Sequence, residues 1–474
     1  AGAVTAMSAA EAGASVLLLD KAPLGHEGGN SRYCGQTFMH SNGDEQAARD
    51  YFVAMCGSMP VADDVVDTFA KGLATLPEDY AEWYDLNIED FRTVDQLSPA
   101  FAFMSPEYPE LPGSDKISMT ALHQGNSDGY MWQTQREGVS SRQDKIDVWL
   151  ESPALHLIQD PQSKTIVGVE VQRKGDNLLI RANNGVVLTC GGFENNPEMM
   201  ANYFKAYGCH PAAAVHNTGD GIVMCEKVGA SMWHMHGIAG FWPHVVSLDG
   251  TGFTSNLEMI DSGYGILVGT NGRRFTPECP AVSYGNNTRV ALDLKLTNGN
   301  RHGDYQSGGE WMTRHLPAVS WGIFDAAGFE KATTYFPFDD PVAEGFAYSA
   351  DTIEGLAAQI DVPVEELTRT VATWNAMLQN GGDTQFYRAD DGVAPIVEPP
   401  FYAARQCPWF LNTDGGPERN EFGQILDHDK NPIPNLYSAG EFGSIWSDMY
   451  NGGGNCGECL AFGRISARNC LGIA

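Results

Sequence analysis

Asn435-Leu-Tyr-Ser-Ala-Gly-Glu441, followed by Tyr450-Asn-Gly-Gly-Gly-Asn-Cys-Gly-Glu458 and a helical run through Arg464, is the stretch on which the fold of this chain turns. It reads as a strand ending in Ala-Gly-Glu, then a glycine-rich loop, then a helix. Glycine at 452 to 454 lets backbone approach a ligand closely, because no Cβ stands in the way. The helix that follows points unsatisfied N–H groups and the positive end of its dipole at whatever precedes it, which favours negative charge there. Alone, Gly452-Gly453-Gly454 would be an ordinary turn.

The other end of the chain gives it meaning. Ala1-Gly2 runs through Ala3-Val-Thr-Ala-Met-Ser-Ala-Ala-Glu-Ala-Gly13, a small-residue helix closed by glycine, into the apolar strand Ser15 to Leu19 and then Asp20. That is the second half of a dinucleotide-binding βαβ unit. Gly2 stands where the last glycine of G-x-G-x-x-G belongs, and Asp20 where a carboxylate holds a ribose hydroxyl. The first strand of that unit and its first two glycines do not precede Gly2. A buried parallel strand is not dispensable, so a strand before Ala1 is expected in the whole protein. Gly28-Gly-Asn-Ser31 downstream strengthens the nucleotide reading.

Together with Thr189-Cys-Gly-Gly-Phe193, Thr218-Gly-Asp-Gly221, Gly272-Arg-Arg-Phe275 with Glu278, and Ile323-Phe-Asp325, these pieces resemble the FAD-dependent fumarate reductase, flavocytochrome c and ketosteroid dehydrogenase family. They fall in that family's order and span nearly the whole chain. The resemblance implies an α/β fold: a Rossmann-like FAD-binding domain of the glutathione reductase type at 1–240 and 400–474, with an inserted α+β capping domain at 241–399. It also implies the FAD contacts. Gly2 would lie at the pyrophosphate, Asp20 on the adenosine ribose, and Gly29, Asn30 and Ser31 along the phosphates. Ala154 would lie near the adenine, Gly191 and Gly192 under the nucleotide, and Glu441 on the ribityl chain. Gly454, Asn455 and Cys456 would meet the pyrimidine edge, where reduced flavin carries negative charge. Lys21, Gly35, Asp220 and Gly440 complete the set. No histidine stands where succinate dehydrogenases attach FAD covalently; the nearest is His26, so the flavin is expected to be noncovalent.

Composition agrees with a large enzyme. A chain of 474 residues can bury sizeable cores and should divide into two domains. The net charge of −31 argues against nucleic acid, whose phosphates such a surface repels. No run of eighteen or more apolar residues is present that would span a membrane. The compartment depends on residues before Ala1. Ten cysteines in this length are no disulfide framework. Cys456-Gly-Glu-Cys459 is a CxxC without a second pair to make a zinc site. Trp233, His234, His236, Trp242 and His244 cluster, yet no carboxylate or cysteine completes a metal site, and none is expected. No Cys-x-x-Cys-His occurs, so this chain carries no c-type haem attachment motif. Its electron partner would be a nicotinamide, a quinone or a redox protein.

Members of the family move a hydride between flavin N5 and one carbon of a C=C or CH–CH unit, while a side chain handles the proton at the neighbouring carbon. This sequence departs from the dicarboxylate reductases in that machinery. Their loop Asn-Arg-x-Gly-Gly-Asn places an arginine on a substrate carboxylate; here Tyr450-Asn451 precedes the glycines. Their histidine before Thr-x-Gly-Gly is Asn412, and their proton-donating arginine has no counterpart in Phe324-Asp-Ala-Ala-Gly-Phe-Glu330. A dicarboxylate left unpaired in a low-dielectric pocket would cost several kcal/mol per charge. The substrate expected is therefore a neutral, mostly apolar molecule with a carbonyl-activated C=C or CH–CH bond, as for an enone reductase or ketosteroid-type dehydrogenase.

Tyr450 matches a tyrosine of the ketosteroid 4-dehydrogenases, and a phenol suits proton exchange at a carbon next to a ketone. The serine those enzymes place two residues on is Gly452 here. Glu278, Tyr284 and Arg289 are further catalytic candidates, Glu278 matching a relay glutamate. Two alternatives stand beside this reading. One is a reductase of an unsaturated carboxylic acid, using Arg289 or Arg301; the other is a flavin electron-transfer subunit with no carbon substrate.

Overall fold

A computed structural model of the chain describes residues 1–57, 59–97, 105–125, 128–204, 210–239, 242–249, 264–275, 278, 318–333, 340–386, 388 and 393–473, with backbone alone at 204, 242–244 and 408–409. Tyr284, Arg289 and Arg301 lie outside the described residues, as do the side chains of Trp242 and His244. The chain divides into two compact units. One comprises 1–205, 211–239 and 411–474, and the other 206–210 and 240–410.

In the first unit, helix α1 (Gly2–Glu11) buries Val4, Ala6, Met7 and Ala10. It stops where Gly13 takes φ +90°, a conformation that glycine adopts without penalty, and the Ala14 N–H closes the helix on Ala9 O at 3.0 Å. Strand β1 (Val16–Leu19) follows and pairs in parallel with β2 (Ile146–Trp149), Val16 opposite Ile146. A second parallel pair joins β3 (Val186–Leu188) to β4 (Pro432–Ser438), Val186 opposite Leu436. β1 and β3 are short apolar runs that are mostly half-buried.

Helix α2 (Gly454–Cys470) lies against α1. Thr5 Oγ1 donates to Gly463 O at 3.1 Å, and a Cβ on Gly463 would sit 3.2 Å from Ala1 O and 3.3 Å from Val4. Small residues on both helices permit that approach. The main core of the unit surrounds Trp446, whose ring meets Phe52 and Phe69 edge-on at centroid distances of 5.0 and 5.8 Å. An antiparallel meander, Ala154–Gln159, Ile166–Arg173 and Asp176–Arg181, completes it.

The second unit is built on the ten-residue strand Phe401–Phe410, which pairs antiparallel with Trp242–Val245, Ser320–Phe324 and Ala347–Ala350. Ile266–Gly269 extends the sheet beyond Ser320–Phe324. Because those partners all belong to the second unit, this strand carries the unit past the boundary near 400 drawn from sequence. Helix Val364–Gln379 buries Leu367, Val371 and Trp374, spaced to share one face, in the core with Ile266, Val268 and Ile323.

Candidate cofactor site

A cavity of about 1110 Å3 opens in the first unit between the edges of β1 and β3. Its wall gathers Gly2, Asp20, Lys21, Gly29, Asn30, Ser31, Ala154, Gly191, Asp220 and Glu441 from segments up to hundreds of residues apart in sequence. The first turn of α1 borders it, and Ala1 offers that turn no side-chain cap and no acid. Unsatisfied N–H groups and the positive dipole end are thereby left for a ligand.

Asp20 braces the loop beside the cavity. Its two oxygens accept from Ala22 N at 2.8 Å and Gly28 N at 3.1 Å. Gly28 and Gly29 take φ +104° and +57°, and a Cβ on Gly28 would lie 2.5 Å from the Trp132 ring, so this turn requires glycine. Lys21 Nζ reaches Asp220 Oδ2 at 2.6 Å and also donates to Thr218 Oγ1.

Asn30 links two carboxylates that the sequence did not connect. Its Nδ2 donates to Glu441 Oε2 at 2.8 Å and Glu194 Oε1 at 2.9 Å, while its Oδ1 accepts from Ala214 N at 2.8 Å. Glu194 also accepts from Asn217 Nδ2 at 2.8 Å and Thr413 Oγ1 at 2.9 Å. Nearby, Asp414 Oδ1 accepts from Asn412 Nδ2 at 2.9 Å and Asn455 Nδ2 at 3.1 Å. Burial pushes the Glu441 carboxyl well above the usual carboxylate range, and the charges of Glu194 and Asp414 add to it against the Asn30 hydrogen bond. Asp414 is pushed up to about 8, chiefly by burial and then by Glu458. Amide partners satisfy hydrogen bonds without supplying charge, so burial shifts these carboxyls toward their protonated forms.

Beneath it, Arg419 is fully buried and donates to Gly440 O at 2.7 Å and Glu458 Oε1 at 2.8 Å. It thus fixes the Ala-Gly-Glu loop from below. Gly440 backs onto Cys459 and Ala1, where a Cβ would come within 2.8 and 3.0 Å. Gly192 faces Thr413 and Glu194 rather than the cavity, and Gly35 is exposed beyond it. Gly454, Asn455 and Cys456 form the uncapped first turn of α2, away from the cavity wall.

Tyr450 is buried before that turn. Its hydroxyl accepts from Asn455 N at 3.2 Å, and its ring stands edge-on to Trp446 at 5.4 Å. Burial raises the phenol well above 10, and the neighbouring Cys456, Asp414 and Glu441 add to this against the Asn455 hydrogen bond. Asn451 accepts at Oδ1 from Tyr51 OH at 2.6 Å and Glu107 N at 3.1 Å, and its Nδ2 donates to Gly452 O at 2.7 Å. Asn451 and Asn412 are therefore buried amides that tie loops together. His234 Nδ1 lies 3.1 Å from Ser444 O, with its ring stacked on Trp233.

Glu278 belongs to the second unit. Arg274 grips it in a fork, Nη2 to Oε2 at 2.6 Å and Nε to Oε1 at 2.9 Å, while Leu267 N donates at 2.8 Å. Asp383 holds the other side of Arg274 at 2.8 and 3.1 Å, and Arg388 Nη1 lies 3.6 Å from Glu278. All four side chains are buried.

Glu194, Asp414 and Arg419 were missed from sequence. A signal was available for the first two: Glu194 directly follows Gly-Gly-Phe193, and Asp414 lies within Thr413-Asp-Gly-Gly416, whereas Arg419 stands in no such motif.

Comparison with known proteins bears on this geometry. The family model described as FAD binding domain matches residues 1–456. The chain is 26% identical over 485 residues to "Probable fumarate reductase Ifc3" of Shewanella frigidimarina, covering 99% of this chain and 73% of that protein. It is 30% identical over 317 residues to a 3-oxosteroid 1-dehydrogenase of Mycobacterium tuberculosis, covering 61% of this chain and 53% of that one, so the match spans about half that relative's length. Vinyl phenol reductase of Lactiplantibacillus plantarum is 24% identical, with 99% and 93% covered. Among solved structures, the fold matches a 3-ketosteroid Δ1-dehydrogenase from Sterolibacterium denitrificans in complex with 1,4-androstadiene-3,17-dione, with a TM-score of 0.76 at 21% identity, covering 99% of this chain and 97% of that one. Matched by the family model over nearly its whole length, the chain belongs to the FAD-binding flavoproteins and is an FAD-dependent oxidoreductase of CH–CH groups, with mixed α/β structure.

Proposed function

We propose that this protein reduces a C=C bond in a neutral, mostly apolar substrate activated by a carbonyl or a comparable conjugated group, with Tyr450 as the proton donor. The observation that carries this reading is the setting of Tyr450. Its hydroxyl is pinned by the Asn455 N–H, and burial among acids keeps it protonated, which suits giving a proton to carbon better than taking one. The two positions that hold carboxylate-binding groups in the dicarboxylate reductases are here Asn451 and Asn412, both spent on backbone and side-chain bonds within the fold. Two sequence relatives matched along most of their own length carry reductase names, against the dehydrogenase name of the solved structure covered to 97%.

The residues fit FAD on their own chemistry. A cavity with an uncapped helix N-terminus at Gly2 suits a pyrophosphate, Asp20 lies where a ribose can be met, and Glu441 on the wall can hydrogen-bond a hydroxyl. FAD supplies hydride transfer at N5 when bound. The positive dipole end of α2 favours the pyrimidine edge near Cys456, while the N–H groups of Gly454 and Asn455 are taken by Asn451 O and the Tyr450 hydroxyl. Binding is proposed to be noncovalent, so acid precipitation should release the flavin. The first unit would be the Rossmann-like FAD domain and the second the substrate cap. Glu278, saturated by Arg274, is assigned to the scaffold of the second unit.

Tyr450→Phe tests the assignment. The phenylalanine ring keeps the contact with Trp446, and one buried hydrogen bond is lost, worth about 1 kcal/mol of stability. Reoxidation of the reduced flavoprotein by substrate should slow by about 10²–10⁴-fold. An unchanged single-turnover rate would remove Tyr450 from the chemistry.

The reading of an unsaturated acid as substrate keeps one support, the match to the fumarate reductase relative over 99% of this chain. It would require Arg289 or Arg301, both outside the described residues.

A further inference from the structure

We infer that Cys34 and Cys456 are a thiol–disulfide pair, oxidised by small-molecule disulfides, that latches the loop at 28–36 to the first turn of α2. Their Sγ atoms stand 3.8 Å apart although 422 residues separate them in sequence. A disulfide needs about 2.0 Å between sulfurs, so closure requires only a small movement of a loop and a helix end. Both residues are half-buried, and Tyr33 and Gly35 beside Cys34 are exposed, so a small oxidant has a route in. Cys225, at 0% exposure, has none.

The two sulfurs are not equivalent. Cys456 S–H donates to Cys34, and Gln36 Nε2 lies 3.4 Å from the same sulfur. The Cys456 hydrogen bond draws the Cys34 thiol below its ordinary value, outweighing burial, and a backbone hydrogen bond at Gln36 adds to it. Cys34 is therefore the attacking thiolate. It attacks one sulfur of the small disulfide and expels a thiolate, leaving a mixed disulfide on Cys34. Cys456 then loses its proton to the expelled thiolate and attacks Cys34 Sγ, releasing the second thiol. One protein disulfide forms, the small disulfide is reduced to two thiols, and atoms and electrons balance. The CxxC partner Cys459 is less well placed, since helical residues three apart have Cβ atoms about 5–6 Å apart, against about 3.5–4.5 Å in a disulfide.

The consequence for the cofactor rests on the reading given under Proposed function. The 28–36 loop carries Gly29 and Ser31, and the first turn of α2 carries Asn455, so a link between them should hinder departure of FAD. The test uses the FAD-loaded protein incubated with oxidised glutathione, then alkylated, digested and mapped by mass spectrometry. FAD release is followed by the fluorescence of free flavin, before and after dithiothreitol. The expected result is a peptide linking Cys34 to Cys456, absent from Cys34→Ser, with FAD release slowed several-fold by oxidation and restored by dithiothreitol. A glutathione adduct that persists on Cys34, a Cys456–Cys459 link, or no loss of thiols would overturn the pair. A Cys34–Cys456 link that leaves FAD release unchanged would overturn the latch. Failure of the purified protein to hold any FAD would count against the cofactor reading alone, because the linked peptide is scored independently of flavin.

Discussion

Replacing Glu278 by glutamine separates a scaffold role from a proton relay. Two guanidinium groups, Arg274 and Arg388, face two carboxylates, Glu278 and Asp383, so the cluster is neutral as built. Arg274 and Glu278 are 0% and 1% exposed at their side chains, and the Arg274 guanidinium lies 4.7 Å from the Trp374 ring centroid. Glu278→Gln removes one of the two carboxylates that grip Arg274 in that apolar setting. Breaking a buried pair in this way costs about 3–5 kcal/mol. With an m-value of about 1–3 kcal/mol per molar urea, the midpoint of the second unit should fall by roughly 1–5 M. Urea unfolding followed by tryptophan fluorescence reads this directly, because Trp374 and Trp321 sit in that core. The double replacement Arg274→Met with Glu278→Leu should recover much of the loss, since apolar groups of similar volume commonly replace buried ion pairs at little cost. A Glu278→Gln variant with an unshifted midpoint and turnover reduced about 100-fold or more would refute the reasoning and restore Glu278 as a relay.

Three further outcomes follow from the first unit. Asp414, with a folded pKa of about 8 against an ordinary 3.8, keeps a proton that the unfolded chain releases. Stability should therefore fall as pH rises between those values, by up to about 1.4 kcal/mol per pH unit. Asp414→Asn should remove that slope, and parallel pH profiles of urea midpoints for parent and variant would contradict it. Gly454→Ala places a Cβ 2.4 Å from the Trp446 ring, which Phe52 and Phe69 hold in place. It should cost about 1–3 kcal/mol and weaken FAD binding, and a variant with parental melting temperature and FAD affinity would show that the first turn of α2 can yield. Arg419→Met strips Glu458 of its cation and should cost about 3–5 kcal/mol, partly recovered by adding Glu458→Gln. Equal melting temperatures for the single and double variants would show that the pair is not coupled.

The local elements were legible in sequence because their patterns are local. The small-residue helix ending at Gly13 and the apolar run to Leu19 follow from spacing and glycine chemistry alone. Asp20 and Glu441 were legible because motifs fix them at strand ends. Pairings across long sequence separations were not. Arg419 meets Glu458 thirty-nine residues on, and Asn30 meets Glu441 across 411, and neither contact leaves a periodic trace. The strand Phe401–Phe410 was drawn into the wrong segment because its partners, rather than its own residues, decide where it belongs. Cys456-x-x-Cys459 drew attention as a motif, whereas the thiol that approaches Cys456 comes from the opposite end of the chain.

The central claim is best tested by reducing the purified flavoprotein without oxygen and mixing it with separate solutions of a neutral enone, a ketosteroid enone and an unsaturated acid, while following the visible absorbance of the flavin. Rapid reoxidation by a neutral enone, with the unsaturated acid inert, is the result predicted. Reoxidation by the acid alone would contradict a neutral substrate and would place a cation in the site, and silence toward all three would contradict the assignment of a carbon substrate from this class.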